Sequence, residues 1–110
     1  MSIYTRLISE TVIPMSVIHR PIPSVLDESK VKSLMATIET EGDNPDLVPP
    51  IDVKWIVGRD PQNNYYFAFG GCHRFEAHKR LGLPTIRARI VKSTREEIKV
   101  YLGSSTPDFP

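Results

Sequence analysis

Cys72 is the one cysteine of this 110-residue chain, and it stands in Phe69-Gly70-Gly71-Cys72-His73-Arg74. Two glycines precede the thiol, and two side chains able to carry positive charge follow it. Tyr65 to Phe69 reads as a buried strand. The run after Cys72, to Leu81, reads as a helix stopped by Gly82. Cys72 is therefore expected where a strand turns through glycine into a helix N-terminus. N–H groups there lack partners within the helix and carry partial positive charge. Such a setting favours a thiolate and also binds anions. Gly70-Gly71 permits close approach of a ligand to the backbone. Arg74 is expected to favour the thiolate, and His73 can carry a proton or meet a phosphate oxygen.

Spacing narrows the chemistry. A tyrosine-phosphatase loop places arginine six residues after its cysteine, and position 78 is His78. A redox Cys-x-x-Cys needs a second cysteine. A Walker loop ends in Gly-Lys-Ser/Thr, which this chain lacks. One cysteine with three histidines makes a poor zinc set. A papain-like pair would need a distant histidine, which leaves His19. Lys30, Ser33 and Thr37 form a second candidate. Their stripe reads either as a solvated helix face or as a cation and two hydroxyls along a nucleotide. Arg20 reads as a surface arginine or a phosphate clamp. By periodicity, Phe69 and Tyr101 read as core, and Arg87 and Arg89 as the solvent face of a strand.

The elements that must position these residues follow from local pattern. Met1 to Glu10 reads as a loose arm and residues 11–110 as one small domain. Thr11 to Ile18 is strand-like but interrupted by Pro14, which suits an edge. Pro21 and Pro23 keep His19 to Ser24 extended. Asp27 is a helix N-cap, and Val31, Leu34, Met35 and Ile38 recur at helical spacing behind it. Glu39 to Pro50 reads as a loop. Ile51 to Val57 alternates as a half-buried strand, with Ile51, Val53, Trp55 and Val57 inward. Gly58 to Asn64 makes a hairpin to the strand before Cys72. Thr85 to Val91 is another strand. Ser93-Thr94-Arg95-Glu96-Glu97 opens a last helix that Gly103 stops, and Ser104 to Pro110 reads as a tail. The fold class expected is α+β, a small mixed β-sheet with packed helices.

Net charge of +1 argues against a general nucleic-acid binder. No apolar run reaches membrane-spanning length, and the N-terminus lacks the apolar core of a secretory signal. A single cysteine suits a reducing, intracellular compartment. These features lead us to expect a cytoplasmic protein, small enough to enter a nucleus without a signal and monomeric when free.

The hexapeptide around Cys72 resembles the signature of the sulfiredoxin family. So do Arg20-Pro21-Ile22-Pro23-Ser24-Val25-Leu26-Asp27, then Lys30-Val31, Ser33-Leu34 and Thr37. Pro49 to Val53 and Tyr101 to Asp108 are similar to later segments of that family, in order. The resemblance implies the fold shared with the nucleotide-binding domain of chromosome-partition (ParB) proteins. It also implies an enzyme that uses ATP and Mg²⁺ to reduce cysteine sulfinic acid in hyperoxidised 2-Cys peroxiredoxins. By matching position, Cys72 would be the nucleophile. Lys30, Ser33, Thr37, Gly71, His73 and Arg74 would hold ATP, and Mg²⁺ would enter through its phosphates. Arg20 would lie near the transferring group and Asp27 would orient it. Arg74 would both lower the Cys72 pKa and neutralise phosphoryl charge. Ile22, Asp52, Phe69 and Tyr101 would face the peroxiredoxin. The short Glu39 to Pro50 loop carries no second cysteine, so an external thiol such as glutathione or thioredoxin would close the cycle. The rival expectation is a nucleotide-binding interaction module of the partition-protein type, in which Cys72 is incidental.

Overall fold

The computed structural model describes residues 8–42, 44 and 47–110. The chain runs through β1 (Ile8–Pro14), a 3-10 turn (Met15–Val17), β2 (Ile18–His19), α1 (Glu28–Glu41), β3 (Ile51–Val57) and β4 (Asn64–Phe67). It continues through α2 (Cys72–Arg80), β5 (Thr85–Lys92), α3 (Arg95–Leu102) and a second 3-10 turn (Gly103–Ser105). The five strands form one mixed sheet in the order β1-β5-β3-β4-β2. β3 runs parallel to β5, and β2 runs parallel to β4. The β1–β5 and β3–β4 pairs are antiparallel. The α+β architecture expected from the sequence is thus present.

Pro14 does more than mark an edge. It ends β1 on one margin of the sheet, and β2 begins on the other margin after the three residues Met15–Val17. Four strand spacings in a flat sheet would separate those margins by about 19 Å. The step from Pro14 to Ile18 can span at most about 14 Å. The sheet must therefore curl towards closure. Its inner face is filled by Ile13, Ile18, Ile51, Val53, Ala68, Ile86, Ala88 and Ile90.

Two further layers cover the curl. α1 and α2 pack together through Val31, Ile38 and Ala77, closed by Val48 from the loop. Ile56, Phe67, Ile98 and Phe109 form a cluster beneath α3. The helix boundaries follow local chemistry. The Asp27 carboxylate accepts from the Ser29 N–H at 3.0 Å and caps α1, and Thr94 Oγ1 accepts from the Glu97 N–H at 3.3 Å to cap α3. Gly42 and Gly103, both at positive φ, end those helices.

Several boundaries differ from expectation. β1 begins at Ile8, inside the segment read as an arm, whose first seven residues lie outside the described ones. α1 continues to Glu41, so the loop starts at Gly42; Asp43, Pro45 and Asp46 in that loop also lie outside the described residues. In β3, Ile56 is buried while Trp55 and Val57 are half-buried. The second face of β3 is covered at Ile56 while Asp52 on that face stays exposed, which simple alternation does not anticipate.

The tail is the largest difference. Phe109 is 6% exposed, and its carbonyl accepts from the Arg59 N–H at 3.0 Å. The Asp60 N–H donates to the Pro110 carbonyl at 2.8 Å, and Arg59 pairs with Asp108 at 3.0 Å. The chain end is thus stitched to the β3–β4 hairpin. Phe109→Ala is expected to cost about 3 kcal/mol of stability. Denaturant unfolding measures this, and a loss under about 1 kcal/mol would return the segment to a loose tail.

Candidate active site

The strand-to-helix turn rests on two glycines with different reasons. Gly71 has φ +66, and a Cβ there would meet Ile51 Cγ2 at 2.5 Å. Close packing of the turn on β3 therefore excludes any side chain at position 71. Gly70 does not share the positive φ, and a Cβ there would meet nothing within 4 Å. The fold leaves position 70 free. Cys72 opens α2, so its backbone lies among the exposed N–H groups of a helix start.

Two donors converge on the Cys72 sulfur. Ser24 Oγ lies 2.9 Å from Sγ and Arg20 Nη2 lies 3.1 Å from it. Arg20 also donates through Nη1 to the Gly70 carbonyl at 2.7 Å and the Ala68 carbonyl at 3.2 Å. Its guanidinium carbon sits 5.0 Å from the Phe75 ring centroid. The proline segment thus carries a cation across the exit of β4 and onto the thiol. The Ser24 hydrogen bond, followed by the charge and hydrogen bond of Arg20, holds the Cys72 thiol below its ordinary pKa range against the opposing effect of burial.

This geometry corrects one expectation. Arg74 Nη1 donates to the Pro49 and Pro50 carbonyls at 2.9 and 2.8 Å. It ties the loop to α2, and Arg20 supplies the guanidinium on sulfur. Ser24, read from the sequence as part of the proline segment, is not singled out there as a site residue. It lies 48 residues from Cys72, and no spacing rule links the two.

The residues expected to meet phosphates mostly come together. Lys30, Ser33 and His73 line a groove with Ser29 and Leu34. His73 and Leu34 also line the adjoining groove of Val25, Pro49, Gly71, Cys72 and Arg74, so the two grooves share a wall. His73 Nε2 accepts from the Asp27 N–H at 3.0 Å. With Nε2 accepting, Nδ1 is the ring nitrogen left to donate. Thr37 lies a turn beyond Ser33, and its hydroxyl donates to the Ser33 carbonyl at 3.0 Å. The Asp27 carboxylate, held low by Ser29, is engaged in capping α1 and does not reach Arg20. Asp27 acts on the site through its backbone N–H.

A second groove is lined by Gly70 together with Asp52, Lys54, Phe69, Arg89 and Tyr101. Phe69 and Tyr101 stack at 4.2 Å with rings 3° apart. Tyr101 is 46% exposed, which corrects its reading as core. Arg89 approaches Asp52 at 3.6 Å, and Lys54 Nζ lies 5.6 Å from the Tyr101 ring centroid. Ile22 is exposed on the proline segment and does not line this groove. The His19 ring lies tilted against Phe67, with centroids 5.2 Å apart. Among the described residues no group of His, Cys, Asp and Glu could hold a metal ion. No described helix is long and apolar enough to cross a membrane.

Because the thiol pKa is lowered, the thiolate persists as pH falls below the ordinary thiol range and is lost only on crossing the depressed value. Arg20→Met should move the midpoint of Cys72 alkylation to higher pH, whereas Arg74→Met should leave it in place. Alkylation rates across pH measure both. A midpoint that follows Arg74 instead would overturn the assignment of Arg20.

Comparison with known proteins bears on this geometry. The family model described as the ParB N-terminal domain matches residues 4–106. The chain is 65% identical over 100 residues to the BEACH domain-containing protein lvsE of Dictyostelium discoideum, covering 91% of this chain but 4% of that protein. It is 37% identical over 106 residues to a sulfiredoxin of Schizosaccharomyces pombe, covering 86% of this chain and 84% of the relative. The crystal structure of sulfiredoxin from Arabidopsis thaliana superposes with a TM-score of 0.68 at 41% identity, over 87% of this chain and 97% of that one. A fold, a full-length relative and a solved structure agree: the chain belongs to the sulfiredoxin family, built on the fold of the ParB N-terminal domain.

Proposed function

We propose that this chain is an enzyme that reduces cysteine sulfinic acid in hyperoxidised 2-Cys peroxiredoxins, using ATP with Mg²⁺ and an external thiol. The observation that carries this reading is the placement of the Cys72 sulfur. Two hydrogen-bond donors hold it beside a groove lined with a cation and hydroxyls, two residues beyond Gly70 in the wall of an aromatic groove.

A sulfinate resists thiol attack because its oxygens leave poorly. ATP with Mg²⁺ supplies the phosphoryl group that turns one oxygen into a leaving group. The residues present fit such a polyanion. Lys30 offers charge, Ser33 a hydroxyl and His73 its Nδ1–H, with Thr37 one turn along and the α2 N-terminus behind Gly71. Cys72 then attacks the activated sulfur. The new S–S bond forms from the thiolate pair while the S–O bond to phosphate breaks, and phosphate departs with its electrons. A thiosulfinate between the two proteins remains. Glutathione or thioredoxin would reduce it and release Cys72, since this chain has no second cysteine. An order in which Cys72 is phosphorylated first uses the same residues. Arg20 steadies the sulfur, and Arg74 faces the groove from the loop side.

Asp52, Phe69 and Tyr101 form the surface for the peroxiredoxin, with Ile22 contributing from the proline segment. An exposed Tyr101 ring stacked on the half-buried Phe69 beside polar groups suits a transient interface. The reading includes a cytoplasmic monomer without nucleic acid. A second reading, a nucleotide-binding interaction module, draws support from the ParB N-terminal match. The convergence of Ser24 and Arg20 on sulfur favours the thiol chemistry.

Cys72→Ser separates the two readings. It should abolish sulfinate reduction, followed by the mass of the hyperoxidised peroxiredoxin, and retain ATP binding. Lys30→Ala should raise the KM for ATP about tenfold and leave Cys72 alkylation unchanged. Reduction that survives loss of the thiol would end the enzymatic assignment. Gly70→Ala should fold normally and keep the thiol profile yet reduce peroxiredoxin turnover at least tenfold, because the added methyl enters the groove beside Phe69. Unchanged turnover in that variant would remove this groove from the interface.

A further inference from the structure

Ser24 is the unexpected member of the site, and any role for it rests on the reading of Cys72 as the reacting thiol. Its Oγ lies 2.9 Å from Cys72 Sγ, nearer than Arg20 Nη2 at 3.1 Å. Arg20 Nη2 also donates to Ser24 Oγ at 3.2 Å. The cation therefore occupies a lone pair of the hydroxyl, and the single hydroxyl proton is directed to sulfur. A hydroxyl polarised by a guanidinium is a stronger donor than a free one. Neutral sulfur is a weak acceptor, whereas a thiolate is a full anion. Two donors meeting on one sulfur therefore select the ion.

We propose that Ser24 is a catalytic residue of the thiol step, donating its hydroxyl hydrogen bond to Cys72 Sγ and holding that sulfur ready as thiolate until it attacks the activated sulfinyl sulfur. The thiol proton passes to solvent beforehand. The attack itself moves only the thiolate pair into the S–S bond and the S–O pair onto phosphate.

The two donors divide the work. Arg20 also binds the Ala68 and Gly70 carbonyls, so it belongs to the frame of the turn. Ser24 is exposed on an extended segment, and its hydroxyl can rotate away as charge leaves the sulfur. Its replacement removes one donor to sulfur and one acceptor of Arg20, while the Arg20 contacts to the Ala68 and Gly70 carbonyls do not depend on it. A hydroxyl also suits the task better than a second cation would. Nucleophilicity falls as thiol pKa falls, so excessive stabilisation of the thiolate would slow the attack. The other charged or titratable groups around the sulfur are accounted for. Arg74 is turned to Pro49 and Pro50, His73 Nε2 accepts from the Asp27 N–H, and the Asp27 carboxylate is taken by Ser29. The lowered pKa of Cys72, with Ser24 as its largest cause, agrees with this role.

The test compares Ser24→Ala, Ser24→Thr and Ser24→Val with the unsubstituted chain. Thr and Val share a shape and differ in the hydroxyl, which isolates the donor from packing. Cys72 alkylation by iodoacetamide is followed across pH without ATP or peroxiredoxin. Ala and Val should move the midpoint to higher pH and slow alkylation at pH 7 several-fold, while Thr keeps the original profile. In sulfinate reduction, Ala and Val should lower kcat several-fold without changing the KM for ATP. Superimposable alkylation profiles for Thr and Val would overturn the proposal. A shifted profile with unchanged kcat would overturn Ser24's catalytic part. A shifted profile in a chain whose unsubstituted form reduces no sulfinate would instead overturn the functional reading and leave the Ser24–sulfur contact standing.

Discussion

The guanidinium of Arg20 is the constraint on which the site depends. It binds the carbonyls of Ala68 and Gly70 where β4 ends, the hydroxyl of Ser24 on its own segment, and the sulfur that opens α2. It also lies against the ring of Phe75, one turn into that helix. One planar cation thereby joins the proline segment, the strand exit and the helix start. Arginine suits this position because its donors are spread around a rigid plane, whereas lysine offers a single point charge. Pro21 and Pro23 restrict the segment that carries it, so less chain entropy is lost in placing the cation. Hydrogen bonds to a thiolate also gain strength from its charge.

Around that tie the glycine pair separates two surfaces. Gly71 is required by the packing of the turn on Ile51, and it seats Cys72 against the helix start. Gly70 has no such requirement and opens onto the groove of Phe69 and Tyr101. Adjacent residues of one type thus serve different ends. One lets the backbone fold onto the sheet, and the other leaves space beside an aromatic surface. The groove of Lys30, Ser33 and His73 shares Leu34 and His73 with the groove that Cys72 lines. The thiol thus lines a polar groove, two residues along the chain from the glycine that lines the aromatic one.

Much of the fold was legible because its causes are local. Asp27 and Thr94 cap helices through side chains that reach two or three residues ahead. Gly42 and Gly103 end helices through their own backbone conformation. The alternation of Ile86, Ala88 and Ile90 along β5 matches their burial. The misreadings share a different cause. Ile56 is buried because α3 covers a second face of β3, and Phe109 because the tail returns to the β3–β4 hairpin. Tyr101 sits at helical spacing with apolar neighbours, yet its ring stacks on Phe69 at the surface. Periodicity reports which face a residue occupies but not what finally covers it.

The sequence by itself determined the strand–turn–helix at Cys72, the caps, the apolar faces and, through residue-by-residue resemblance, the family. Those properties depend on residue type and short spacing. Tertiary structure alone decided which cation serves the thiol. Arg74 is two residues from Cys72 but extends to the loop carbonyls, while Arg20, 52 residues away, reaches the sulfur. It likewise brought Ser24 to the same atom across 48 residues. The physical reason is that hydrogen-bond strength depends on distance and direction in space, and the curl of the sheet with the path of the proline segment sets both.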